Sequence, residues 1–139
     1  MATIRRGTID MPLAGDYINR PMQKVDYSSD GKSAVTKYEV IGVEQHNDDN
    51  DADDHPNGDE GCSGTTTTRT RIYLYPVTGR THQLRVHASH PDGPIKSPIV
   101  GDDIYGQRNN SRLCLHAGFL EINHPKTGNR ISFTAAVPF

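Results

Sequence analysis

Nineteen residues, His46 to Gly64, hold seven acids (Asp48, Asp49, Asp51, Asp53, Asp54, Asp59 and Glu60) and no lysine or arginine. This segment constrains the fold more than any other, because so polar a stretch buries too little apolar surface to offset the entropy of ordering it. The core must therefore be built by its flanks, and both flanks read as strands. Val35 to Gln45 alternates, with Val35, Ile41 and Val43 on one side and Tyr38 and Val40 on the other. Thr67 to Tyr75 turns Thr70, Ile72 and Leu74 one way and Arg69, Arg71, Tyr73 and Tyr75 the other. The expectation is an antiparallel hairpin interrupted by a disordered acidic insertion over residues 46–64.

Setting that segment aside changes the charge balance. The whole chain carries −2, but the remaining 120 residues keep all 15 basic groups against 10 of the 17 acids, a net of +5. A mildly basic body is compatible with a polyanionic partner such as nucleic acid. The length of 139 residues suits one domain. No apolar run reaches the ~18–20 residues that cross a bilayer, and the first six residues lack the apolar stretch of a secretion signal, so an intracellular protein without a membrane span is expected. Two cysteines, Cys62 and Cys114, make neither a disulfide framework nor a thiolate metal site and read as reduced thiols.

Residues 7–33 are rich in turn formers and suggest short extended pieces. Pro76-Val77-Thr78-Gly79 turns the chain into a helix expected over Arg80 to His90, with Thr81 as N-cap. On it, Leu84 and Ala88 face the core while His82, Arg85 and Ser89 share a neighbouring face. Leu113 to Ile122 and Arg130 to Val137 read as a hairpin joined by His124-Pro125-Lys126-Thr127-Gly128. Apolar residues on both faces of Leu113–Ile122 predict an interior strand.

The chemistry concentrates in Gly79-Arg80-Thr81-His82-Gln83-Leu84-Arg85-Val86-His87. Two arginines, two histidines and a glutamine at the start of a helix suit an anion, because free backbone N–H groups and the helix dipole favour negative charge there. The alternative is a set of surface helix residues with one or two histidines satisfied inside. No metal site is read: His82 and His87 lie about 140° apart around a helix, and His87 and His90 lack the glutamate of a zinc-protease helix. No Gly-x-Ser-x-Gly elbow, phosphate loop or dinucleotide fingerprint occurs.

That segment, followed by Ser97-Pro98-Ile99-Val100-Gly101-Asp102-Asp103-Ile104-Tyr105-Gly106, Arg112-Leu113-Cys114-Leu115-His116-Ala117 and His124-Pro125-Lys126-Thr127-Gly128, resembles the C-terminal half of an RluA-type pseudouridine synthase. Upstream, Gly7-Thr8-Ile9-Asp10-Met11-Pro12-Leu13 and Asn19-Arg20-Pro21-Met22-Gln23-Lys24-Val25 resemble the segment before that family's central strands. The resemblance implies an α+β fold with a mixed, mainly antiparallel sheet and few short helices, a single partial catalytic domain over residues 1–139. It implies isomerisation of uridine to pseudouridine in ribosomal or transfer RNA, with no cofactor and no metal.

The family's catalytic aspartate lies in a His-Arg-Leu-Asp-x-x-Thr-Ser-Gly segment that these residues do not contain. Asp10 and Asp16 fall in parts matched to other pieces of the family. The resemblance assigns Arg85 as the partner of that aspartate, which leaves it an unpaired cation here and the chain inactive alone. Arg80, His82 and Gln83 become candidates for holding RNA or for stabilising their turn, Arg69 and Arg71 further RNA contacts, and Leu113 or Leu115 the wall of a uracil pocket. The alternative is a non-catalytic RNA-binding module that kept the basic groove and lost the acid.

Overall fold

The computed structural model describes residues 6–47, 66–108 and 112–139. In chain order the elements are β1 (Arg6–Asp10), β2 (Leu13–Gly15), β3 (Gln23–Val25), β4 (Val35–Asn47), β5 (Thr66–Pro76), α1 (Gln83–Ser89), β6 (Phe119–Asn123) and β7 (Arg130–Thr134). Mostly antiparallel strands with one short helix give the α+β character expected of a partial pseudouridine synthase fold. Contacts gather the chain into two compact units, Met1–Ala14 with Val25–Leu84 and Gly15–Lys24 with Arg85–Phe139. No helix among the described residues is long and apolar enough to cross a membrane.

In the first unit, β1, β4 and β5 form an antiparallel sheet in that spatial order. Ile9 from β1, Ala34 just before β4, and Thr36 and Tyr38 within it are buried, as are Met11 and Leu13. The buried face of β4 is therefore the even-numbered one. A register shift between Val40 and Gly42 changes the alternation beyond it: Val40 opposes Ile72, whereas Val43 opposes Thr70. The extra residue of a bulge flips the faces of everything after it, so Val43 lies on the side of Tyr38 and Val40 rather than with Val35. The ladder runs on to Asn47 opposite Thr66. His46 and Asn47 thus belong to β4, and the rest of the expected acidic insertion, residues 48–64, lies outside the described residues.

Helix α1 is shorter than expected and starts differently. Thr81 and His82 form a turn closed by the Gln83 N–H donating to the Arg80 carbonyl at 3.1 Å. His82 has φ 54°, a left-handed backbone that ends any helical run before it. Thr81 is therefore a turn residue and not the N-cap. Gln83, Val86, His87 and Ala88 are buried and Leu84 only half-buried. A stripe at spacings of three and four is present, but two of its members are polar.

In the second unit, Leu113 and Leu115 precede β6 rather than belonging to it. Among the described residues, strands β6 and β7 pair with each other alone, from Phe119 opposite Thr134 to Asn123 opposite Arg130. The expected interior strand is thus one half of a two-stranded ribbon. Leu120, Ile122 and Phe133 share one of its faces and are 53%, 41% and 54% exposed. An apolar face of this kind drives association in water. Replacing Leu120 and Phe133 together by threonine should lower the oligomeric fraction in sedimentation velocity without changing the far-ultraviolet spectrum; unchanged association would place its cause elsewhere.

Candidate active site

In the first unit the turn that carries Arg80 and His82 is built on a buried amide. Gln83 Oε1 accepts hydrogen bonds from the Thr78 hydroxyl at 2.8 Å and the Arg80 backbone N–H at 2.9 Å. Its Nε2 donates to the Val35 carbonyl and to Thr36 Oγ1, both at 3.0 Å. The orientation is unambiguous, since a flipped amide would set a donor against the Arg80 N–H. Thr78 Oγ1 also accepts the Val35 N–H at 2.8 Å. This network ties the segment after β5 to the first residues of β4. Gln83, expected among the RNA contacts, is only 3% exposed, and its bonding capacity is used inside the chain. Of the two roles open to it, the structure gives it the turn.

Arg80 is exposed, and its Nε donates to the Ser33 carbonyl at 3.0 Å, which leaves most of the guanidinium facing solvent. His82 is half-buried in its left-handed position. Arg69 and Arg71 are both half-buried on β5, and Arg71 Nε meets Glu44 Oε1 at 3.1 Å.

In the second unit Arg85 is gripped by a carboxylate from its own chain. Its Nε donates to Asp102 Oδ2 at 2.9 Å and its Nη2 to Asp102 Oδ1 at 2.6 Å, a bidentate pair with side chains 15% and 0% exposed. The expectation of an unpaired cation is overturned. A turn held by the Asp102 N–H to Ile99 carbonyl bond and the Gly106 N–H to Asp102 carbonyl bond, each 3.0 Å, presents the acid to the helix seventeen residues away. Asp102 Oδ1 also accepts the backbone N–H groups of Ile104 and Tyr105 at 3.0 Å. Tyr105 lies with its ring centroid 5.4 Å from the guanidinium carbon, and its hydroxyl accepts the Gln23 N–H at 2.8 Å.

Gly101 makes this loop possible. It has φ 75°, and a Cβ there would sit 2.0 Å from the Arg112 carbonyl oxygen, so no side chain fits. Burial pushes the Asp102 carboxyl up, but the hydrogen bond from Arg85 and those from Tyr105 and Ile104 outweigh it and hold the group below its ordinary value. The Asp102 hydrogen bond raises Arg85 in turn, against its own partial burial. Asp103 Oδ1 stands 3.6 Å from Nη2 and adds a weaker, exposed charge.

Asp102 lies within a motif of the family resemblance that carries no role for it; the signal in the sequence is an aspartate between glycine and turn-forming residues, the setting of a side chain that bonds backbone N–H groups further on. Leu113 and Leu115 are half-buried in the irregular stretch before β6. Asp16 accepts the N–H groups of Ile18 and Asn19 and the Asn19 amide, closing its own turn, while Asp10 is exposed on β1. Among the described residues no group of three or more His, Cys, Asp or Glu is arranged to hold a metal ion.

The family model described as RNA pseudouridylate synthase matches residues 2–90. A Haemophilus influenzae protein named dual-specificity RNA pseudouridine synthase RluA is 36% identical over 137 residues, covering 96% of this chain and 51% of that protein. The Escherichia coli K12 protein of the same name is 39% identical with the same coverage, and that of Vibrio parahaemolyticus is 40% identical over 125 residues. The chain spans about half the length of the curated relatives it matches.

Two outcomes follow from these networks. Because the folded-state pKa of Asp102 is depressed, the pair contributes stability that is fully present above the unfolded value near 3.8 and is lost as pH falls through the folded value. The melting temperature of the wild type should therefore drop as pH falls below about 4, and Asp102→Asn should lower it at neutral pH and flatten that acid limb. Gln83→Ala should cost about 2 kcal/mol or more in urea denaturation, because it removes four hydrogen bonds at a buried position and takes from the Arg80 N–H its acceptor.

Proposed function

The chain belongs to the RNA pseudouridylate synthase family, and from that premise we propose that it is the part of an RluA-type enzyme that presents Arg85 to the catalytic carboxylate on an RNA substrate. One observation carries the reading. A guanidinium has two edges suited to a carboxylate; Asp102 takes the Nε–Nη2 edge, and Nη1 makes no hydrogen bond among the described residues. Arg85 is thus anchored from one side by a buried acid and keeps an edge for a second. The second would come from the His-Arg-Leu-Asp segment that the family supplies outside the residues matched here.

The physical requirement on such a pair is clear. A carboxylate acting on a nucleoside in a dry pocket must remain ionised, and a guanidinium at hydrogen-bond distance lowers its pKa and sets its direction. The target uridine is first extruded from its stack, at about a few kcal/mol. The glycosidic bond from N1 to C1′ then breaks with help from the aspartate, the uracil turns in place, C5 bonds to C1′, and the proton on C5 leaves while N1 takes one up, so that the product is an isomer of the substrate. Arg80 and His82, on a turn braced by Gln83, hold the flanking RNA through charge and hydrogen bonds. Leu113 or Leu115 lines the uracil.

A second reading is a non-catalytic RNA-binding module. The Asp102 pair favours it in one respect, since Arg85 is neutralised without any acid from elsewhere. Both readings predict that the purified 139 residues form no pseudouridine in unmodified ribosomal or transfer RNA transcripts, assayed by chemical labelling and mass spectrometry, and both predict RNA binding. That binding should fall with salt by roughly 0.7 log units per phosphate contacted for each log unit of salt. Arg80→Ala and His82→Gly should weaken it, the second while relieving the left-handed backbone. Pseudouridine formed by the chain alone would overturn the proposal; an in-frame His-Arg-Leu-Asp segment encoded upstream favours the enzyme over the module.

A further inference from the structure

The outer face of the sheet in the first unit carries a pattern that the Arg85 site does not use. Two rows cross all three strands: Thr8, Lys37 and Tyr75 are directly opposite one another, and so are Arg6, Glu39 and Tyr73. The opposite face is the one that buries Ile9, Thr36 and Tyr38. Tyr73 and Tyr75 are 52% and 50% exposed, and their rings meet edge to face with centroids 6.3 Å apart. Lys37 is exposed beside them, and an open depression of about 480 Å³ lies between Arg6, Thr8, Lys37, Glu39 and Tyr75. Alternation along β5 extends the face to Arg71 and Arg69.

We infer that this face is a second RNA site, a stacking platform for a single-stranded segment, with bases on Tyr73 and Tyr75 and the backbone along Lys37 and the arginines. Charge selects the occupant. Arg6, Lys37, Arg69 and Arg71 outnumber Asp10, Glu39 and Glu44, a net of +1, with Arg6 paired with Glu39 at 2.5 Å and Arg71 with Glu44 at 3.1 Å, so that Lys37 stands as the exposed cation nearest the tyrosines. A covering protein layer would have to bury Lys37 and two ion pairs, which is costly unless every charge is matched. A nucleic-acid strand instead places phosphates against the cations and stacks its bases on the tyrosines, while the ion pairs stay wet. An open sheet face presenting aromatics suits unpaired bases, because those in a duplex are already stacked on each other.

The inference rests on the RNA partnership proposed above and is tested separately from it. Binding of the 139-residue chain to a fluorescent ten-nucleotide oligouridine is measured by anisotropy across a salt series, with circular dichroism to verify folding of each variant. Tyr75→Ala should weaken binding about tenfold, the order of one lost stacked base, and Tyr75→Phe should bind as the wild type does. Lys37→Gln, at an exposed position, should reduce the salt slope by about 0.7. The chain has no tryptophan and six tyrosines, so oligouridine should also quench its intrinsic emission, less so in Tyr75→Phe. If the wild type binds RNA but Tyr75→Ala and Lys37→Gln bind equally well, the platform is wrong and the RNA partnership stands. If only duplex RNA binds, the platform is likewise wrong. If no RNA binds at low salt, both fall.

Discussion

A buried carboxylate is tolerable only when its charge is answered, and Asp102 is answered four times: twice by Arg85 and once each by the N–H groups of Ile104 and Tyr105. That requirement shapes the surrounding chain. It forces the left-handed Gly101, the turn from Ile99 to Gly106, and the placement of Tyr105 against the guanidinium. Arg85 consequently loses the freedom of an ordinary long side chain, which is what a group that must orient a reactive acid needs. On the role proposed for Arg85, the same pair keeps the cation stable until a carboxylate from outside these residues reaches it.

The first unit applies the same rule with an uncharged group. Gln83 lies at a position where an apolar side chain would be expected, and four hydrogen bonds make its burial acceptable. It fixes the short turn in which Arg80 and His82 stand, including the unusual backbone of His82. In both units, then, satisfied polar groups set the position of the candidate site side chains, and the apolar core supplies the support beneath them. The outer sheet face and the turn differ in kind. One offers aromatic rings and a modest excess of positive charge, and the other offers a cation held close to the backbone.

The paired strands β4 and β5 were legible because alternation over ten residues is a strong local signal, and the acidic stretch between them marked the hairpin. The bulge near Val40 was not, since one extra residue leaves no trace in composition. The beginning of the helix is not legible locally, because Thr81 has the chemistry of a cap while the turn through the left-handed His82 is held by the Gln83 amide, whose partners Val35 and Thr36 are 47 and more residues away. Burial of Gln83 is invisible to a reading that equates core with apolar, whereas the buried His87 matches the alternative of a histidine satisfied inside. Strand β6 is shorter than its apolar run because such runs also occur in irregular chain, as at Leu113 and Leu115. Arg85 was found through its motif, but its partner required the fold.

The role proposed for Arg85 depends on its being held on the Nε edge by Asp102. Nitrogen-15 NMR of the arginine side chains near pH 6 addresses this directly. The Arg85 Nε–H should exchange with solvent far more slowly than those of Arg20 and Arg108, which are exposed and whose Nε groups make no hydrogen bond among the described residues, and Asp102→Asn should abolish that protection while the tertiary fold persists. An Arg85 Nε–H exchanging as fast as the exposed ones in the wild type would contradict the pair and everything inferred from its geometry.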